Sequence, residues 1–127
     1  SNHLILYGKG RLYNIYSVSP GTHVPASLSG RYSIVIKEEN PVWTSDRHRY
    51  EPGNPHNFLG PRKLCLNPVR TGANDARGST AIHGNNREGD PDPSPGAPGY
   101  FRMRNEDVKE LYDIVPRGTV VDIVPPR

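Results

Sequence analysis

The stretch "PGYFRMRNEDVKELYDIV", residues 98–115, decides the fold because it contains the helix that the sequence predicts most clearly. Asn105 is a favourable N-cap residue, and Pro116 ends the helix. The apolar side chains between them recur at helical spacing and form one stripe: Val108, Leu111, Tyr112 and Val115. We expect this stripe to lie on a sheet. The residues before the helix, 95–104, are interpreted as a Gly/Pro-rich loop that leads into it.

Outward from the helix, the sequence predicts short strands joined by long loops. Apolar and β-branched runs predict a hairpin over residues 4–18 and further strands at "RYSIVIKE" (31–38), "RKLCLNPV" (62–69), "STAIHG" (79–84) and "GTVVDIV" (118–124). The segments 40–61 and 85–99 show no period and predict loops, which at this length usually carry binding sites. The expected fold is mainly β, a sandwich or partial barrel with one helix near the C-terminus.

Composition and charge exclude several classes of protein. A net charge of +3 without a basic stripe is too weak to indicate nucleic-acid binding. The single cysteine, Cys65, excludes an internal disulfide framework, and its position between two leucines predicts a buried small hydrophobic side chain. The histidines have no ligand spacing, so we expect neither a metal nor a cofactor. No apolar run approaches the ~20 residues that span a bilayer.

Three segments carry a more specific pattern: "STAIHGNN" (79–86), the stretch 98–115 and "RGTVVDIV" (117–124). Together they resemble the YkuD-type L,D-transpeptidase catalytic domain of bacterial cell-wall enzymes. That family has an Ile-His-Gly-Thr strand end, then Ser-His-Gly-Cys-Ile-Arg-Met, Asn-x-Asp-Val and a Gly-Thr-x-Val-x-Ile strand. Here Ile82-His83-Gly84 matches the first element, and Arg102-Met103-x-Asn105-x-Asp107-Val108 matches the helix entry.

The resemblance extends, more loosely, over nearly the whole chain. Segments 7–21, 29–43 and 57–66 are similar to the family's opening hairpin, its Asn-Pro-x-Trp turn and its Leu-Gly-x-Arg strand. This implies an L,D-transpeptidase-like β-sandwich or partial barrel. We therefore expect one domain over residues 1–127, which begins at Ser1 rather than Met and could be excised from a longer protein.

The same resemblance implies a site in which the family's catalytic residues are replaced. Alignment on Arg102-Met103 places Ala97-Pro98-Gly99-Tyr100-Phe101 over Ser-His-Gly-Cys-Ile, so Tyr100 stands at the nucleophile's position. The alternative alignment on Ser94-Pro95-Gly96-Ala97 supplies no thiol either. No residue is therefore predicted to be catalytic. The candidate substrate-binding residues are His83, Gly84, Asn85, Gly99, Tyr100 and Arg102.

The sequence leaves three functions open. The favoured one is a catalytically inactive domain of the cell envelope, periplasmic or otherwise extracytoplasmic, that binds a peptidoglycan stem peptide or an envelope protein. The second is an active peptidoglycan acyl transferase or hydrolase with a non-Cys nucleophile, which would require a phenol of pKa about 10 to ionise. The third is a structural protein-interaction module unrelated to peptidoglycan. The first is favoured because losing both nucleophile and base removes the covalent intermediate.

Overall fold

The computed structural model describes residues 2–8, 11–20, 26–87 and 100–124. The nine strands within those ranges are β1 (Asn2–Gly8), β2 (Arg11–Pro20), β3 (Gly30–Glu39), β4 (Trp43–Ser45), β5 (His48–Tyr50), β6 (Arg62–Pro68), β7 (Thr80–His83), β8 (Tyr100–Met103) and β9 (Val120–Ile123). A single turn of 3₁₀ helix covers Ala26–Leu28, and the helix α1 covers Asn105–Ile114.

Seven of these strands form one sheet in the order β1-β2-β8-β7-β6-β3-β9, and β4 and β5 pair with each other in a separate sheet. The pairs are antiparallel except for β7 with β8, which run parallel. The prediction of a mainly β fold with a helix near the C-terminus is confirmed, as are the predicted opening hairpin and the strands that correspond to β3, β6, β7 and β9.

The helix lies on one face of this sheet, as its apolar stripe predicts. Val108, Leu111 and Val115 are buried, and Tyr112 is half-buried against the same cluster. The sheet contributes the other side of the core, with Tyr16, Tyr32, Ile34, Leu64, Leu66, Ile82 and Met103. Each large apolar side chain removed from water in this way stabilises the fold by roughly 1.5–3 kcal/mol. The core therefore holds the central strands, and the ends of those strands, at fixed positions.

The start of α1 corrects two predictions. Asn105 is not the N-cap: the helix is preceded by Arg104, which makes no side-chain capping hydrogen bond, and Asn105 is the first helical residue. The side chain of Asn105 instead turns away to bond the chain after β7. Residues 100–103, interpreted as the end of a loop, form the strand β8 between β2 and β7. Both differences arise from partners that are distant in the sequence.

Two further predictions are also wrong, one for the segment 40–61 and one for the burial of Cys65. The segment 40–61, expected to be a loop throughout, contains the short hairpin of β4 and β5. Cys65 is half-exposed rather than buried, because alternation along β6 directs Leu64 and Leu66 into the core and Cys65 to the opposite face. Its thiol lies 3.7 Å from Oε1 of Glu38 on the adjacent strand.

Candidate functional site

The structure brings three of the predicted site residues together on adjacent strands. His83 ends β7, and Tyr100 and Arg102 lie on the parallel neighbour β8, where His83 is paired with Arg102 and Ala81 with Tyr100. The rings of His83 and Tyr100 meet edge to face, with centroids 5.8 Å apart. All three side chains share one face of the sheet, opposite α1. Gly99, the residue before β8, lies outside the described residues.

Among the described residues of this face, His83 is the most deeply buried titratable group, at 4% exposed. Its Nδ1 atom lies 2.6 Å from the carbonyl oxygen of Gly84; a carbonyl can only accept a hydrogen bond, so Nδ1 donates. Burial, together with the positive charges of Arg102 and Lys63, lowers the pKa of His83 to about 4. Hydrogen bonding to the backbone of Gly84 and Phe58 acts in the opposite direction and is outweighed. At neutral pH the imidazole is therefore neutral.

Asn85 and Asn105 fix the chain where it leaves β7. The Asn85 backbone N–H donates to Oδ1 of Asn105 at 2.8 Å, and Nδ2 of Asn85 donates to the carbonyl of Met103 at 3.3 Å. Nδ2 of Asn105 donates in turn to the carbonyl of Arg87 at 3.2 Å, and the Arg87 N–H donates to Oδ1 of Asn85 at 3.1 Å. These bonds join the exit of β7 to the junction of β8 and α1. Asn85 therefore serves the architecture of the site, with its side chain committed to backbone.

Two glycines allow this junction to close. A Cβ atom on Gly84 would lie 2.3 Å from Oδ1 of Asn105 and 2.9 Å from Cδ of Pro61. Gly60 has a φ of +72°, and a Cβ there would lie 2.5 Å from the backbone nitrogen of Asn85. No side chain fits at either distance, so both positions require glycine. The predicted site residue Gly84 thus has a close-packing role.

Lys63 is a further candidate site residue, one that the sequence reasoning missed. It is paired with His83 across β6 and β7, and its Nζ atom lies 5.8 Å from the centroid of the Tyr100 ring. With Arg102 it brings two positive charges to the buried, neutral His83, an arrangement suited to a carboxylate ligand. The available signal was the alternation of "RKLCL", which places Lys63 and Cys65 together on the face opposite Leu64.

The thiol of the chain does not lie beside Tyr100. Cys65 is paired with Ala81, which is paired in turn with Tyr100, so the two residues are separated by strand β7. Partial burial is the main cause that raises the pKa of the Cys65 thiol, and Glu38 raises it further, whereas Lys63 lowers it. Since the thiolate is the reactive form, these surroundings disfavour nucleophilic attack by Cys65.

The described residues bring together no group of three or more His, Cys, Asp or Glu side chains that could hold a metal ion. Nor does the described part of the chain include a helix long and apolar enough to cross a membrane.

Comparison with known proteins agrees with this architecture. The model of the YkuD family, the L,D-transpeptidase catalytic domain, matches residues 1–123. The chain is 31% identical over 128 residues to a Bacillus subtilis protein named putative L,D-transpeptidase YqjB, covering 95% of this chain and 65% of the relative. It is also 31% identical over 122 residues to the putative L,D-transpeptidase YkuD of Bacillus licheniformis, covering 96% of this chain and 59% of the relative.

The strand order, the strand-end His83 and the match over residues 1–123 define an L,D-transpeptidase-like domain. The chain belongs to the YkuD family of L,D-transpeptidase catalytic domains, a family related to the bacterial cell wall. It spans less than two thirds of the length of the two relatives named above.

Proposed function

We propose that this domain binds a stem peptide of peptidoglycan without cleaving or transferring it. The observation that carries the proposal is the position of Tyr100 beside His83, with the two rings edge to face. Our alignment of the sequence on Arg102-Met103 puts Tyr100 in the place of the family's cysteine. The family's reaction needs a thiolate that attacks a peptide carbonyl, whereas a phenol with a pKa of about 10 stays protonated at neutral pH. The thiol of Cys65 lies two strands away, and partial burial raises its pKa, which disfavours the thiolate.

Binding is supported by what this face of the sheet retains. Lys63 and Arg102 are half-buried cations on either side of His83, and stem peptides carry carboxylates that such cations bind through charge-assisted hydrogen bonds. The neutral imidazole between them leaves the positive charge of this face to Lys63 and Arg102. Because stem peptides occur in the cell wall, the proposal also assigns the domain to the cell envelope, outside the cytoplasmic membrane.

Isothermal titration with a sugar-free stem tetrapeptide tests the binding. The wild-type protein should bind it, and Lys63→Met should weaken binding about tenfold, as expected for losing one charged hydrogen bond. Lys109→Met is the matched control, since Lys109 is exposed on α1, on the other side of the sheet. If the wild-type protein binds no stem peptide, the proposal fails and the interaction-module function replaces it.

Mass spectrometry tests the absence of chemistry. After incubation with the tetrapeptide, no shortened or cross-linked peptide should appear. After incubation with a carbapenem, a class that acylates the nucleophilic cysteine of this family, the protein mass should be unchanged. An adduct that survives in Cys65→Ser but disappears in Tyr100→Phe would show a phenolic nucleophile and contradict the proposal. The double variant Pro98→His/Tyr100→Cys restores the family's base and nucleophile at the aligned positions, and acylation of it would verify that alignment.

A further inference from the structure

The short hairpin of β4 and β5 carries ring-bearing side chains on one of its faces. Trp43 is paired with Tyr50, and Ser45 with His48, so these four side chains point to the same side. Thr44 and Arg49 are paired on the opposite side, where Arg49 forms an ion pair with Glu51 at 2.8 Å. We call Trp43, His48 and Tyr50, together with the adjoining His56, the ring face.

The Tyr50 ring of this face contacts the rings of both His48 and His56. The His48 and Tyr50 rings are stacked with centroids 6.1 Å apart and an angle of 18° between their planes. The Tyr50 ring also lies near the His56 ring, with centroids 5.6 Å apart and an angle of 40° between their planes. His48 and His56 are exposed, and Tyr50 and Trp43 are half-buried. A cluster of rings that remains accessible in this way is typical of a binding surface rather than of a core.

The hairpin is held in one conformation. Its turn residues Asp46 and Arg47 both have positive φ angles, 46° and 71°. Two such residues form the tight turn that suits a two-residue hairpin, although glycine or asparagine would adopt it at lower cost. Asn57, 4% exposed, anchors the hairpin from below, with Nδ2 donating to the carbonyls of Pro41 at 2.9 Å and Tyr50 at 3.1 Å. A strained turn with a buried anchor is expected where a surface must be presented rigidly.

The loop that follows the hairpin connects it to the candidate site. Asn86, three residues after His83, donates from Nδ2 to the carbonyl of Pro55 at 2.6 Å. Gly60 packs directly against the backbone of Asn85. The loop that carries His56 is therefore attached to the chain that leaves β7. A ligand with two chemically different parts could occupy the site and the ring face together.

We infer that the ring face binds a saccharide chain, the glycan strand to which stem peptides are attached. Sugar rings have apolar C–H faces that pack on aromatic rings, and hydroxyl groups at their edges that hydrogen-bond with Tyr and His. This cluster of tyrosine and histidine rings matches both properties. A glycan whose lactyl carboxyl groups are amide-linked to stem peptides is uncharged and needs no charged partner on this face. The inference rests on the proposed function, because it extends the same ligand from its peptide to its sugars.

Fluorescence titration tests this directly, because Trp43 is the one tryptophan of the chain. Oligomers of β-1,4-linked N-acetylglucosamine, which carry no carboxylate, should change its emission in a saturable way, with the same dissociation constant in a calorimetric titration. The variant His48→Ala/His56→Ala, which changes two exposed side chains, should weaken binding about tenfold if two ring contacts are lost. Thr44→Ala is the matched control on the opposite face and should bind as the wild-type protein does. No binding by either method, or equal weakening by the two variants, would overturn the inference.

A second titrant separates this inference from the proposed function. The sugar-free stem tetrapeptide should bind the His48→Ala/His56→Ala variant as tightly as the wild-type protein, because those histidines lie outside the site at His83. If the tetrapeptide binds and the glycan does not, the ring face is not a glycan site and the proposed function stands. If the glycan binds and the tetrapeptide does not, the proposed function fails and the saccharide site stands.

Discussion

The burial of His83 predicts a loss of stability in mild acid. The pKa of this imidazole is about 4 in the folded protein, against 6.5 for an unperturbed histidine. Below pH 6.5 the unfolded chain takes up a proton that the folded protein does not, so the free energy of unfolding falls as the pH falls. The loss ends near pH 4, where the folded protein also becomes protonated. Above pH 6.5 this histidine has no effect on the pH dependence.

The size of the effect follows from the two pKa values. The lowering of the His83 pKa from 6.5 to about 4 corresponds to about 3 kcal/mol of unfolding free energy in total. About 2 kcal/mol of this is lost between pH 7 and pH 5. His83 is buried to 4% exposure, so solvent screening reduces this figure little. Domains of this size are stable by about 5–15 kcal/mol, so the loss is a large fraction of the total.

Urea denaturation at several pH values measures this slope. His83→Asn keeps an amide donor near the Gly84 carbonyl but cannot titrate. Between pH 7 and pH 5 its free energy of unfolding should therefore fall by about 2 kcal/mol less than that of the wild-type protein. His56→Asn, at an exposed position, is the matched control and should keep the wild-type slope. An NMR titration gives the pKa of His83 in the wild-type protein without any substitution. A midpoint near 6.5, or the same slope in His83→Asn and the wild-type protein, would refute the reasoning.

Three other substitutions test the packing and the charges around the fold. Gly84→Ala places a Cβ atom 2.3 Å from Oδ1 of Asn105 and should cost about 1–3 kcal/mol in urea unfolding, whereas Gly72→Ala meets nothing within 4 Å and should cost much less. Asn105→Ala removes the acceptor of the buried Asn85 N–H and should cost about 1–3 kcal/mol; unchanged hydrogen exchange at that amide would contradict the role given to it. Asp75→Asn should lower the melting temperature at pH 7, because it breaks the ion pair with Arg77. The Arg77 guanidinium holds the pKa of the Asp75 carboxyl well below its usual range. The difference from the wild-type protein should shrink as the pH falls below about 4, and a constant difference would show that the ion pair is not its cause.

The candidate site was predicted in part. His83, Tyr100 and Arg102 were identified by resemblance, and the structure places them side by side. Lys63 was missed because a lysine inside a strand becomes a site residue only once the pairing of that strand is known. Asn105 was assigned a local capping role, whereas its real partner, the Asn85 N–H, lies twenty residues earlier. In each case the missing information was a contact between distant parts of the chain.

The strands show the same difference between what a local pattern predicts and what depends on distant contacts. Long runs with clear periodicity, such as β3 and the stripe of α1, are recognisable from sequence because their own residues carry the hydrophobic pattern. Strand β8 has four residues and no such pattern; it exists because β2 and β7 supply hydrogen-bonding partners on both sides. The hairpin of β4 and β5 is three residues on each side, too short for any period to appear.

Local sequence was therefore sufficient for the mainly β class, the helix and the family resemblance, and the placement of Tyr100 at the family's cysteine position is a prediction from the sequence alone. The tertiary structure decided which side chains share a face, how deeply His83 is buried, and that Cys65 is separated from Tyr100 by a strand. The physical reason is that burial and electrostatics depend on neighbours brought together by strand pairing. Hydrophobic patterns and turn residues act over a few positions. The pKa of His83 instead depends first on its burial in the folded sheet and then on Arg102 and Lys63, about twenty residues away on either side.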